Sequence, residues 1–330
     1  MAQALLLSAA PADDPDRPHA HDELARMRRS AARDKFGVHA LTDDPQTADV
    51  ILFVENAGGT RHYPEVRRHP YVRKFREKCF LFTETDHALP VLPGIYASME
   101  KRWYTPQRMR SGHYLRTFTV DFIEYEPEPV EREYLYSFLG AFNNHPIREA
   151  IADLDCDRQY LFDTAPYWPY GELSPAEQKR LQRRYVAVSR PSKFILCPRG
   201  RGASSYRLFE SLRMGRPPVI LSDQWVPPEG PDWPSFSVRV PERRTPDLPD
   251  ILREREGEAV AMGERARRVW EDWFSEAATF HRAVEWCLAI RRSRALPESV
   301  LRSPALLHLL RPPHATLALT RPLFGMPAWR

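Results

Sequence analysis

Residues 192–242 read SKFILCPRGRGASSYRLFESLRMGRPPVILSDQWVPPEGPDWPSFSVRVPE, and the fold follows from this stretch. Residues 194–197 are a short apolar run suited to a buried strand. Pro198, Gly200 and Gly202, interleaved with Arg199 and Arg201, break that run. Residues 203–214 have helical character: Leu208 and Leu212 lie one turn apart, and Gly215 is placed to stop the helix. Residues 218–221 are a second apolar run, closed by Ser222 and Asp223. Strand, Gly-rich basic loop, helix, strand is the order of one βαβ unit in a parallel sheet.

The loop suits an anion. A helix starting near Ser204 leaves its first N–H groups unpaired, and its dipole places partial positive charge there. Gly200 and Gly202 allow close backbone approach, and Arg199 and Arg201 add full charges. A phosphate or diphosphate fits such a site. The pattern is neither a P-loop, since no G-K-[ST] follows, nor G-x-G-x-x-G. On loop chemistry alone, a plain turn with solvated arginines fits as well. Glu210, about two turns into the helix, could accept hydrogen bonds from both hydroxyls of a ribose. It could equally form a surface ion pair with Arg207 at i−3.

The run resembles the C-terminal signature of the exostosin family of glycosyltransferases. The resemblance rests on residues 194–198, the loop 200–202 and Ser205-Tyr206-Arg207-Leu208-Phe209-Glu210. It continues through 215–221, Asp232-Trp233 and Phe236-Ser237-Val238. Residues 134–140 (YLYSFLG), followed by Arg148, resemble the strand that opens the same domain. The resemblance implies an inverting transferase that uses a nucleoside-diphosphate sugar. It also implies a saccharide or glycoconjugate acceptor.

Outward from that domain, residues 4–8, 38–41, 49–54 and 79–82 read as strands, with helices at 21–35 and 64–78. Residues 90–116 have no clean period, and short strands are expected near 95–97 and 117–122. The acidic, Pro-rich stretch 124–133 (EYEPEPVERE) reads as a linker. Beyond it, strands are expected at 134–142 and 159–162. Helices are expected at 146–153, 174–188 and 247–255, and a long one at 258–292. The expected class is α/β: two Rossmann-like domains facing a cleft, the glycosyltransferase B architecture. The first domain is 1–128 (acceptor), the second 129–300 (nucleotide-sugar), and a tail at 301–330 is expected to pack back on the first.

The chain has 330 residues, 42% hydrophobic and 28% charged, which fits a globular protein of two domains. A net charge of +4 suits an anionic small ligand or an anionic membrane surface and is too weak to argue for nucleic acid. Four scattered cysteines form no C-x-x-C pair, so buried thiols in a reducing compartment are expected. The N-terminus lacks the basic region and long apolar core of a signal peptide, and no run is long enough to span a membrane. These features lead to an expectation of a cytoplasmic enzyme, unlike the membrane-anchored animal exostosins. Peripheral contact with the inner membrane face is compatible with the charge.

The donor half supplies Arg199, Gly200, Arg201, Gly202, Ser204, Ser205, Arg207 and Glu210, with Asn143 and Asp223 at neighbouring strand ends. Lys193 is a further cation. Helix dipole and arginines can neutralise a diphosphate, so no metal is required. Asp153-Leu154-Asp155 and Asp155-Cys156-Asp157 follow a helix and read as a solvated turn. The base is expected from the first half: Asp86 with His87, or Glu55, each at a strand C-terminus, with Glu84 a weaker choice. Each of these could instead be structural. In a rival reading the protein binds nucleotide sugars or carbohydrates without catalysis.

Overall fold

The computed structural model describes residues 1–300 except 12–14, 16, 18, 57–62, 87, 89, 91, 121, 128–130 and 168–172. The continuous apolar runs become strands. The first sheet comprises β1 (Gln3–Leu7), β2 (Ala40–Leu41), β3 (Val50–Glu55), β4 (Cys79–Thr83), β5 (Gly94–Tyr96) and β6 (Met109–Ser111). Every pairing is parallel, in the order β2-β1-β3-β4-β5-β6. β3 and β4 are buried throughout, as inner strands of a covered parallel sheet must be.

The second sheet comprises β7 (Tyr134–Gly140), β8 (Gln159–Asp163), β9 (Ser192–Pro198), β10 (Pro218–Leu221) and β11 (Val238–Arg239). It is also parallel, in the order β11-β10-β9-β7-β8. The expected pair of doubly wound sheets is therefore present. Strand order reverses between β1 and β3 in one sheet and between β7 and β9 in the other. Such switch points open a crevice beyond the strand C-termini.

The helices are α1 (Asp22–Ala32), α2 (Pro64–Arg68), α3 (Pro70–Lys74), α4 (Pro146–Ala152), α5 (Pro175–Ser189), α6 (Tyr206–Arg213), α7 (Leu248–Glu254), α8 (Ala259–Val269) and α9 (Glu276–Ser293). Their ends follow local chemistry. Ser174 and Glu177 form a capping box at α5. Gly215 ends α6 at φ +67°, and the Tyr125 ring lies 2.5 Å from where its Cβ would be.

Several expectations are corrected. The helix expected at 64–78 is split by His69-Pro70, since proline disfavours helical backbone at the residue before it. The long helix expected at 258–292 is broken by a widened turn at Trp270–Phe274. Residues Leu115–Thr119 form a 3-10 turn where a strand was expected, with the Thr117 hydroxyl donating to the Tyr114 carbonyl (2.6 Å). β6 was not anticipated. The linker stretch is partly packed: Tyr125 lies under Gly215, and Glu126 pairs with Arg190 at 3.1 Å. Residues 301–330, given the return crossing in the sequence reading, lie outside the described residues. Among the described residues α9 crosses back: the Ser30 hydroxyl donates to the Glu276 carbonyl (2.5 Å) and accepts from the Phe280 N–H (2.9 Å).

The two halves share a core around His113, which is fully buried among Phe82, Phe209 and Phe274 and hydrogen-bonded to the Thr279 hydroxyl at 2.9 Å. Burial pulls its pKa down to about 3. The unfolded chain therefore binds a proton that the folded chain refuses. This stability term is intact above the unfolded pKa near 6.5 and is lost as pH falls from there toward 3. Glu84, raised by burial to about 7, acts in the opposite sense, since the folded state takes up its proton first. Comparing wild type with His113→Gln isolates the histidine. Between pH 6.5 and 5, urea unfolding should show the wild type losing about 2 kcal/mol more than the variant, at ~1.36 kcal/mol per pH unit. Equal losses would mean that His113 carries none of this pH dependence.

Candidate active site

The strand C-termini of the two sheets face one another. The loop after β9 reaches the exits of β4 and β5. A Cβ on Gly202 would lie 2.3 Å from the Ser98 hydroxyl and 2.8 Å from the Asp86 carbonyl, so only glycine fits. The Ser204 N–H donates to the Ser98 hydroxyl (3.1 Å), and Arg199 pairs with Glu100 at 3.5 Å. Glu100 also bridges to Trp225, just beyond β10. The loop after β9 is thus the seam between the halves.

Within that loop the helix starts later than expected. Ser205 is the N-cap, accepting from the Arg207 N–H at 3.3 Å, and Ser204 is buried before it. Arg201 is exposed. Arg207 donates to the Leu139 carbonyl (3.1 Å), pairs with Glu210 (2.6 Å) and stacks over the Tyr185 ring. The Arg207–Glu210 pair is therefore formed, but it is not on a polar face: Glu210 is only 6% exposed.

The flanking candidates divide. Asn143 is exposed in the turn Phe142–Asn144 that follows β7. His145 is an N-cap, accepting from the Ile147 N–H at 3.2 Å. Asp223 and Glu242 exchange backbone-to-carboxylate hydrogen bonds of 2.9 and 3.2 Å, so Asp223 also anchors the turn after β10. Lys193 pairs with Glu256 near the start of β9, at the opposite end of the strand from the crevice, and leaves the candidate set. Trp233 is core packing: its indole N–H donates to the Pro228 carbonyl (2.9 Å). The Asp153–Asp157 carboxylates lie in an exposed turn.

In the first half, Asp86 lies exposed three residues beyond β4, with its backbone against Gly202. Its charge acts on Tyr114, on Tyr206 at the start of α6 and on Arg148 of α4. His87 lies outside the described residues. Glu55 stands at the first sheet's switch point. One of its oxygens accepts from the Ala9 N–H (2.6 Å), the other from the Ser8 hydroxyl (2.9 Å), and burial raises its pKa. It lines a polar crevice with Arg17, Asn56, Tyr63 and Glu65. Glu84 is sealed in, held by the Leu115 N–H and by Arg116 (3.2 Å).

A further residue shapes this loop. Arg148, in α4, donates to the carbonyls of Ala141 (3.1 Å), Pro198 (3.2 Å) and Arg199 (2.9 Å). Burial and nearby Arg207 lower its pKa to about 10, so it is still charged at neutral pH.

Residues 114–255 match the Exostosin GT47 domain. Exostosin-1 of Drosophila melanogaster is 34% identical over 122 residues, covering 36% of this chain and 16% of that protein. The exostosin-1 homolog of Caenorhabditis elegans is 40% identical over 83 residues, covering 24% and 22%. A probable glycosyltransferase of Arabidopsis thaliana is 30% identical over 142 residues, covering 42% and 25%. The chain thus spans 16–25% of the length of these relatives. Among solved structures, HepE of Anabaena in complex with UDP aligns over 86% of this chain and 99% of its own, with 10% identity and a TM-score of 0.37. No helix among the described residues is long and apolar enough to cross a membrane.

Proposed function

We propose, from the match of residues 114–255 to the Exostosin GT47 domain, that this chain is an inverting glycosyltransferase using a nucleoside-diphosphate sugar. The observation that carries the reading is the seam itself. A basic, Gly-containing loop and helix start at the second sheet's switch point lie against the exposed Asp86 of the first half. The donor's diphosphate sits at the start of α6 between Arg199, Arg201 and Arg207, and Glu210 takes the ribose hydroxyls. Asn143 and Asp223 flank the donor. The acceptor, a saccharide or glycoconjugate, enters from the first half, where the crevice at Glu55 offers polar walls.

Asp86 takes the proton of the acceptor hydroxyl. That oxygen attacks the anomeric carbon as the bond to the diphosphate breaks, and the charge leaving with the diphosphate meets the arginines and the helix N-terminus. Because these groups fill the role a metal would play, turnover is expected to survive EDTA. Activity abolished by chelation and restored by Mn²⁺ would contradict this. The reading is tested by incubating the protein with labelled UDP-, GDP- and ADP-sugars and oligosaccharide acceptors. Transfer with inverted anomeric configuration is the expected product. Binding of donor without transfer to any acceptor would favour a non-catalytic binding protein.

A further inference from the structure

This inference rests on the donor reading above. The Arg148 guanidinium spans the second sheet's switch point: Ala141 follows β7, and Pro198 and Arg199 close β9 and open the loop. The three carbonyls are met by Nε, Nη1 and Nη2, spread across the planar fork of arginine, whereas lysine's three donors radiate from one nitrogen and do not reproduce that spread. A trans peptide is planar, so its N–H points opposite its C=O. Holding the Pro198 carbonyl turns the Arg199 N–H away from Arg148, and it donates to the Leu221 carbonyl at 3.1 Å. Holding the Arg199 carbonyl likewise turns the Gly200 N–H away from Arg148. Gly200 is also the close-fitting residue on this side, since a Cβ there would lie 3.0 Å from the Arg148 Nη2.

We infer that Arg148 is a positioning residue for the donor loop: it fixes the peptides of residues 198–200 so that the Gly200 N–H faces the diphosphate, without itself touching the donor. The requirement is geometric. A cation of the wrong shape keeps the charge and loses the orientation.

The test is calorimetric titration of wild type, Arg148→Lys and Arg148→Ala with UDP, GDP and ADP, with thermal unfolding of each protein alongside. Both variants are expected to lose at least about tenfold in affinity for the nucleotide the wild type binds, as when charge-assisted contacts are misplaced. Millimolar guanidinium should restore part of the binding of Arg148→Ala, and methylammonium should not. Should Arg148→Ala fail to fold, Arg148→Lys alone decides. Wild-type protein that binds none of the three withdraws the donor reading and this assignment with it. If the wild type binds, Arg148→Lys affinity within about twofold overturns the positioning role alone. Equal rescue by methylammonium does the same, because charge would then suffice.

Discussion

Asp86→Asn is expected to leave nucleotide binding nearly unchanged and to lower turnover by about 10²–10⁴-fold, as loss of a general base does. Three observations single out Asp86. It follows a strand C-terminus, it is exposed, and its backbone abuts Gly202 of the donor loop. Its rival, Glu55, has both oxygens committed to Ser8 and Ala9, which ties the exit of β1 to that of β3. Glu55→Gln keeps one acceptor for that strap. It should raise the acceptor KM more than it lowers kcat, and kcat should stay within about tenfold of wild type. If the large loss falls on Glu55→Gln instead, the base lies at the first sheet's switch point. If neither variant loses turnover, both strand-end carboxylates are structural.

Glu210→Ala should weaken affinity for the nucleoside diphosphate by at least about tenfold. Two charge-assisted hydrogen bonds to a ribose contribute roughly 1.5–3 kcal/mol each, less where solvent competes. The fold will also feel this change. Glu210 is buried and pairs with Arg207, so its removal leaves that guanidinium with the Leu139 carbonyl and the Tyr185 ring. A cost of about 1–3 kcal/mol in stability is expected, because a partly buried cation loses its counter-charge. A double-mutant comparison separates the two effects. A 2′-deoxy nucleotide should bind the wild type more weakly and show almost no further loss with Glu210→Ala. Losses that add in full would leave Glu210 a structural partner of Arg207 only.

The contrast between Glu210 and Arg148 shows what the sequence makes legible. The βαβ unit around residues 194–221 could be read because its signals are local: two apolar runs, glycines between them and a Gly stop. The position of Glu210 beside Arg207 was equally local, and the pair forms. Its burial was not legible, because Tyr185 comes from another helix. Arg148 was invisible as a positioning group, since its partners are backbone carbonyls up to 51 residues away and leave no side-chain pattern. β6 escaped for a different reason: Met109-Arg110-Ser111 is three residues with a buried arginine at its centre, so neither length nor polarity marks a strand. The sequence places Asp86 just beyond a strand, but its meeting with Gly202 depends on how two separate sheets dock. Sequence periodicity carries no information about that.

On the proposed function, residues 198–210 hold a nucleoside diphosphate. A thermal-shift series with UDP-, GDP-, ADP- and CMP-sugars, on wild type and Glu210→Ala, tests it most directly. A ligand bound only by the native state adds about 2.7 kcal/mol at a hundredfold excess over its Kd, which raises the unfolding midpoint measurably. One diphosphate sugar is expected to raise the wild-type midpoint in a saturable way, and Glu210→Ala to shift the saturation to higher concentration. No shift with any of them at millimolar concentration, or identical saturation in both proteins, would contradict it.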